Sequence, residues 1–302
     1  MTSGGFAGRI AAIDRSQLGA LHYLGNYVRR MPTNLPRMME NAYDWEHLPF
    51  VHPQAFSSIT IAEEGRWGWR AEAGLPAESG GGTQLIELLV DTAQAYWATT
   101  VVEGLGQGTQ IHTQATDVSG GPDFPDAIEI DVRFYLPRAP QTSEQSAMIL
   151  GYLQAQYAGL YDQDEALMVG RQEALDIFAH NFAGRASPND PCSVSLGNEA
   201  DLDRGIVHRV MLAGADYAVR HHAGEWIAHP AVCPHLLGPL ADAPIADGLL
   251  ACPWHGYRFP IGGGQETSGK PCTLGPAAAV SVANGDLYIS APRGPRHDHH
   301  TG

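Results

Sequence analysis

The chain contains no uninterrupted apolar stretch of 18 residues and no charged-then-apolar leader, because Arg9 and Asp14 interrupt its N-terminal stretch. Neither a membrane span nor a signal peptide is therefore expected, and the chain reads as soluble and cytoplasmic. Basic residues are scarce. Eighteen Lys and Arg face 33 Asp and Glu, a net charge of −15, which argues against nucleic acid and anionic membranes as partners. No internal repeat and no flavin or nicotinamide fingerprint is visible. The run Gly104-Leu105-Gly106-Gln107-Gly108 invites a nucleotide-loop reading, but it lies between strand-like runs rather than before a helix. Cysteine is scarce as well, with four in 302 residues. Two of them stand in a pattern with histidine, leaving Cys192 and Cys272 as expected free thiols in a reducing compartment. An apolar content of 44% excludes global disorder, and the length allows two domains.

What is present is concentrated in two places. Near the C-terminus stand Cys233-Pro234-His235 and then Cys252-Pro253-Trp254-His255-Gly256-Tyr257. Two Cys and two His suit a [2Fe–2S] cluster in which one iron takes two thiolates and the other two imidazoles. Zinc sites of this composition usually pair residues of one type in each block. Here each block mixes one Cys with one His, so each loop can give one ligand to each iron. Pro and Gly in both loops support tight turns that aim backbone N–H groups at cluster sulfurs.

The flanks read as short strands: 208–212, 217–220, 225–228 and 286–289. Together they outline a small all-β domain over 192–292. The Pro-rich segment 186–191 marks a linker, and 293–302 reads as a disordered tail.

The second place is Asn41-Ala42-Tyr43-Asp44-Trp45-Glu46-His47-Leu48-Pro49-Phe50-Val51-His52. Asn41, Asp44 and His47 fall at steps of three and are expected to line one helix face. Pro49 disfavours helix at Leu48, so that helix is expected to end near His47, and the bend frees His52 to turn back. Two imidazoles converging beside a carboxylate suit a non-haem Fe(II) site. Between this motif and a helical pattern from about Ser143 to His180, alternating runs at 58–61, 84–90, 96–102 and 128–134 read as an antiparallel sheet. Trp67, Trp69, Trp97, Phe134 and Tyr152 are candidate pocket walls.

The two motifs together resemble those of the Rieske non-haem iron oxygenases. The resemblance implies an α+β chain: a START-like helix-grip catalytic domain over 1–185, then a Rieske domain. It implies cluster ligands Cys233, His235, Cys252 and His255, and a mononuclear Fe(II) held by His47, His52 and an Asp from the long helix. Asp164, on the more apolar helix face, is preferred for that third ligand, with Asp162 as the alternative. It further implies Asp44 as the electron bridge between His47 and His255, and Asn41 as a candidate neighbour of the iron. The implied co-substrate is O2, acting on a small organic substrate that is hydroxylated, demethylated or dihydroxylated. Electrons would come from NAD(P)H through a separate reductase, with or without a ferredoxin between them, and the assembly would be a homotrimer. Two departures stand out. The domain order is reversed, catalytic first and Rieske last, and Leu236 replaces the Arg usual in oxygenase-type Rieske loops. High-potential Rieske proteins carry a loop-to-loop disulfide and hydroxyl donors where this chain has Trp254, Tyr257 and Phe259. The expected potential is therefore in the lower part of the family's roughly −150 to +300 mV range. The alternative reading is a Rieske electron carrier or redox-sensing ligand-binding protein without oxygenase chemistry.

Overall fold

The computed structural model describes residues 13–120, 126–184 and 191–292, with the side chains of 180–184 left out. Residues 186–190 of the expected linker and the expected tail at 293–302 lie outside the described residues. The chain forms two compact units, Met1–Val169 and Gly170–Gly302. The division falls inside a 42-residue helix, Ser143–Gly184, rather than at the Pro-rich segment. Helical hydrogen bonding runs through that point without a break, so composition leaves no mark there.

In the first unit, β1 (His22–Met31) is followed by the helices α1 (Leu35–Tyr43) and α2 (Leu48–Val51). Six strands then run as a meander: β2 (Ser58–Gly65), β3 (Gly68–Gly74), β4 (Thr83–Asp91), β5 (Tyr96–Glu103), β6 (Gln110–Asp117) and β7 (Ile128–Leu136). β1 adds to β7, giving one antiparallel sheet in the order β1-β7-β6-β5-β4-β3-β2. The helix Ser143–Gly184, α3, closes the unit. β7 shows why these segments are strands. Ile128, Ile130, Val132 and Phe134 are fully buried, while Glu129 and Arg133 between them are exposed, the period of two of a half-buried strand. The buried faces of sheet and helix share one core, in which Tyr161 and Met168 of α3 join Trp69, Trp97 and Ile130 of the sheet. Gly25, at a bulge in β1, lets the helix approach, since a Cβ there would stand 2.7 Å from Leu150 Cδ2. This is the antiparallel sheet on a long helix expected of a helix-grip domain.

One buried histidine in this unit has both ring nitrogens paired. His112 of β6 accepts from the Tyr96 hydroxyl at Nδ1 (2.7 Å) and donates from Nε2 to Gln110 Oε1 (3.0 Å). Both ring nitrogens are satisfied in the neutral form. Burial, and then the Arg15 guanidinium, push its pKa down to about 4.

The second unit is all-β beyond the end of α3. β8 (Ser193–Asn198), β9 (His208–Leu212), β10 (Ala215–His222) and β11 (Glu225–Pro230) are followed by the short β12 (Ile245–Ala246), β13 (Leu249–Ala251) and β14 (Arg258–Pro260). Then come β15 (Gly264–Gln265), β16 (Thr273–Leu274), β17 (Ala279–Ala283) and β18 (Asp286–Ser290). Two three-stranded sheets, β11-β10-β9 and β17-β18-β8, enclose a core that includes Leu212, Val219, Trp226, Leu287 and Ile289. No helix among the described residues is long and apolar enough to cross a membrane.

Candidate metal centres

The first centre begins at α1. Asn34 caps the helix, its side chain accepting from the Arg37 N–H, and Pro36 sits in the first turn, where its missing N–H costs nothing. The helix ends four residues earlier than expected, at Tyr43. Asp44 leaves the helical region with φ −82° and ψ 88°, its N–H still bonded to the Glu40 and Asn41 carbonyls. The expected single helix through His47 is thus corrected to two helices joined by a turn. His47 is the N-cap of α2, and Pro49 lies within that helix's first turn, where proline starts a helix rather than ending one. His52 caps the other end of α2.

Two turns of chain therefore carry the two imidazoles to one point, and α3 brings the third group. His47, His52 and Asp164 are all buried, with potential ligand atoms within 4.8 Å of one another. Asp164 Oδ1 is 2.9 Å from His52 Nε2 and 3.4 Å from His47 Nε2, and His47 Nδ1 faces Asp44 Oδ2 at 3.5 Å. Burial alone would push the His47 pKa down. The Asp164 and Asp44 carboxylates outweigh it and raise the value to about 10. Burial would likewise raise Asp164, yet His47 and His52 hold its carboxyl well below the usual carboxylate range. His47 differs from the satisfied His112: neither ring nitrogen makes a well-formed hydrogen bond. A buried, under-bonded imidazole beside a second imidazole and a carboxylate fits a divalent ion, and two His with one carboxylate suit iron(II) among such ions.

Asp162, the alternative third residue, is turned away. It is exposed and pairs with Arg29 at 2.5 Å. The two acids lie about 200° apart around the helix, so only one of them can face inward. Asn41 lines the cavity beside the triad, and its buried Oδ1 has no hydrogen-bond partner among the described residues.

The cavity measures about 130 Å³. Its walls are mainly apolar, with Met38, Ile86, Leu88, Trp69 and Trp97 from α1 and the sheet, and Tyr157, Leu160 and Tyr161 from α3. No Lys or Arg among the described residues lines it. Burial, and further charges that include Asp164, raise Tyr157 and Tyr161 above the ordinary phenol range, so both stay neutral. Of the five aromatics expected as walls, Trp69 and Trp97 are walls. Phe134 is fully buried behind Tyr157, Trp67 is half-buried away from the cavity, and Tyr152 is 62% exposed. Tyr152 and Tyr157 are five residues apart, about 140° around the helix.

The second centre lies in the second unit, on two loops built alike. The Cys233 N–H donates to the Gly238 carbonyl and the Cys252 N–H to the Tyr257 carbonyl, both at 2.8 Å. In each loop the fourth residue after the cysteine takes a left-handed conformation: Leu237 at φ 60° and Gly256 at φ 66°. Glycine makes that turn freely, whereas a leucine there costs about 1–2 kcal/mol. Cys233, Cys252 and His255 are buried, and the His235 and His255 rings lie 4.6 Å apart. A hydrogen bond from the Cys233 thiol comes first among the causes that bring Cys252 down to about 5. The His255 side chain and the Trp254 and His255 backbone N–H groups assist. Gly238 closes the loops together, since a Cβ there would meet Cys252 Sγ at 2.8 Å and Trp254 Cε3 at 3.1 Å. Trp254 thus packs on the opposite loop, and Tyr257 stacks on His235 at 4.3 Å and 13°. This buried set of two thiols and two imidazoles, with backbone donors aimed at sulfur, fits a binuclear cluster.

Residues 192–276 match the family model of the Rieske [2Fe–2S] domain. This segment is a Rieske domain, and it implies a [2Fe–2S] cluster and an electron-transfer role. The chain is 28% identical over 121 residues to a Rieske domain-containing protein of Homo sapiens, covering 34% of this chain and 77% of that one. It is 28% identical over 97 residues to ferredoxin CarAc of Metapseudomonas resinovorans, covering 31% and 89%. A START superfamily protein from Mycobacterium smegmatis aligns in space with a TM-score of 0.40 and 14% identity, covering 48% of this chain and 99% of that one.

Sequence reading missed several supporting residues of both centres. Next to the Rieske loops, buried Glu266 accepts from the Arg258, Ser268 and Lys270 N–H groups and from the Ser268 hydroxyl. Beside the triad, Gln163 and Gln54 bond to each other, and Gln163 also bonds to His52. Only position hinted at these residues, through Gln163's place beside Asp164. Cys192 and Cys272 are free thiols.

Proposed function

We propose that this chain is a Rieske-type oxygenase acting on a small, uncharged organic substrate. The observation that carries this reading is the buried His47–His52–Asp164 triad at the end of an apolar cavity, in a chain that also carries a Rieske domain. The Rieske domain alone would fit a carrier, as the ferredoxin relative illustrates. A carrier has no use for two buried imidazoles, one of them under-bonded, on a carboxylate beneath a cavity.

In this reading His47, His52 and Asp164 hold an Fe(II), which when bound supplies O2 activation, and Cys233, His235, Cys252 and His255 hold the cluster that supplies electrons. The chain's own residues do the rest. Asp44 faces His47 Nδ1, fixing that ring and giving the electron its entry to the site. Trp69, Trp97, Leu88 and Ile86 exclude water and bind by apolar contact. Away from the metal, no Lys or Arg among the described residues lines the walls, so a substrate carboxylate or phosphate lying there would be buried without a counter-charge, which favours neutral molecules. Asn41 and Thr99 offer polar atoms to a hydroxyl or ether oxygen. Electrons reach the chain from NAD(P)H through a separate reductase, and a homotrimer is the proposed assembly.

The test is substrate-dependent O2 consumption by the chemically reduced protein. The wild type is expected to form product, while His47→Ala forms none and keeps the cluster's visible spectrum. Equal product from His47→Ala would refute the reading. Asp44→Asn is expected to keep both metals while slowing single-turnover oxidation of the cluster by at least about tenfold.

A further inference from the structure

Gln163 precedes Asp164 on α3, and its amide oxygen collects two donors. One is His52 Nδ1–H at 2.7 Å and the other is Gln54 Nε2–H at 2.7 Å. An amide oxygen carries no hydrogen, so Nδ1 is the protonated nitrogen of the first contact. A neutral imidazole with its proton on Nδ1 has its lone pair on Nε2, the nitrogen that faces Asp164. Gln54 tethers the amide: its own N–H binds the same oxygen, and Gln163 Nε2 returns a longer bond to Gln54 Oε1 at 3.4 Å. Gln54 is exposed, so the pair runs from solvent to the buried ring.

We infer that Gln163, tethered by Gln54, is the positioning residue that sets the tautomer and ring orientation of His52 for metal binding. This rests on the metal reading given above. It makes the two imidazoles unequal: His47 is backed by the Asp44 carboxylate, His52 by an uncharged amide.

The test is a titration of the full chain, cluster intact and mononuclear site stripped, with Co(II), followed by calorimetry and by the d–d spectrum. Wild type is expected to take up one Co(II), lost in His47→Ala. Gln163→Leu removes the acceptor, weakening Co(II) binding by about 10–100-fold and shifting the d–d bands. Gln163→Glu keeps an acceptor at the same place and should recover most of that affinity. Gln54→Ala, which removes only the tether, should have a smaller effect of the same sign. Unchanged melting of the stripped variants would exclude a folding defect. If wild type binds Co(II) and Gln163→Leu binds it equally well, or if Leu and Glu weaken it alike, Gln163 does not position His52. If wild type binds no Co(II), the metal reading falls first.

Discussion

Asp164 Oδ1 stands 2.9 Å from His52 Nε2, joining side chains 112 residues apart in the chain. The same oxygen is 3.4 Å from His47 Nε2, so one atom on α3 gathers both imidazoles delivered by the turns around α2. Asp164 shares the inward face of α3 with Tyr157, Leu160 and Tyr161, while Asp162, two residues away, faces Arg29.

The two acids should therefore behave oppositely on substitution. Asp164→Asn is expected to abolish metal uptake at the triad. Asp162→Asn removes only an exposed ion pair and should cost less than about 1 kcal/mol of stability with metal uptake intact. Metal analysis and thermal melts of both variants check this.

Gly238 gives a test of how tightly the Rieske loops close. An alanine Cβ would lie 2.8 Å from Cys252 Sγ. Overpacking of this kind costs about 1–3 kcal/mol, so Gly238→Ala should retain less cluster than wild type during incubation with an iron chelator. Visible circular dichroism follows the loss.

Glu266 should matter to the same domain without touching the cluster ligands. Glu266→Ala leaves the N–H groups of Arg258, Ser268 and Lys270 without their acceptor, an expected loss of about 1–3 kcal/mol. Glu266→Gln keeps one oxygen and should lose less. Urea unfolding of the cluster-loaded variants measures both.

His112 predicts a pH dependence of the first unit. Its pKa falls from 6.5 to about 4 on folding. Between those values the unfolded chain binds a proton that the folded chain does not, so stability declines as pH drops below 6.5 and the decline levels off near 4. Above 6.5 the group contributes no slope. The difference in stability between wild type and His112→Gln should narrow from pH 7 to pH 5, as read by thermal melts.

Much of this was legible in the sequence because the chemistry is local. The Cys-x-His and Cys-x-x-His blocks lie within single loops, and Ile128 to Phe134 announce their strand by strict alternation. The long helix was also placed, to within a few residues at its end. The end of α1 was not legible, because proline breaks a helix interior but begins a helix's first turn, and Pro49 does the latter. Asp164 could be preferred only from a helical face, since nothing local ties it to His52. Gln163, Gln54 and Gly238 were invisible for a related reason. An amide among many, or a glycine outside any turn signal, gains meaning only from what lies across from it in space.

The most direct test of the central claim is the iron content of anaerobically purified, iron-reconstituted protein. The account predicts three irons per chain, two in the Rieske cluster and one at His47, His52 and Asp164, falling to two in Asp164→Ala with the cluster spectrum unchanged. Two irons in the wild type, with no further iron taken up in excess Fe(II), would contradict it and leave an electron carrier.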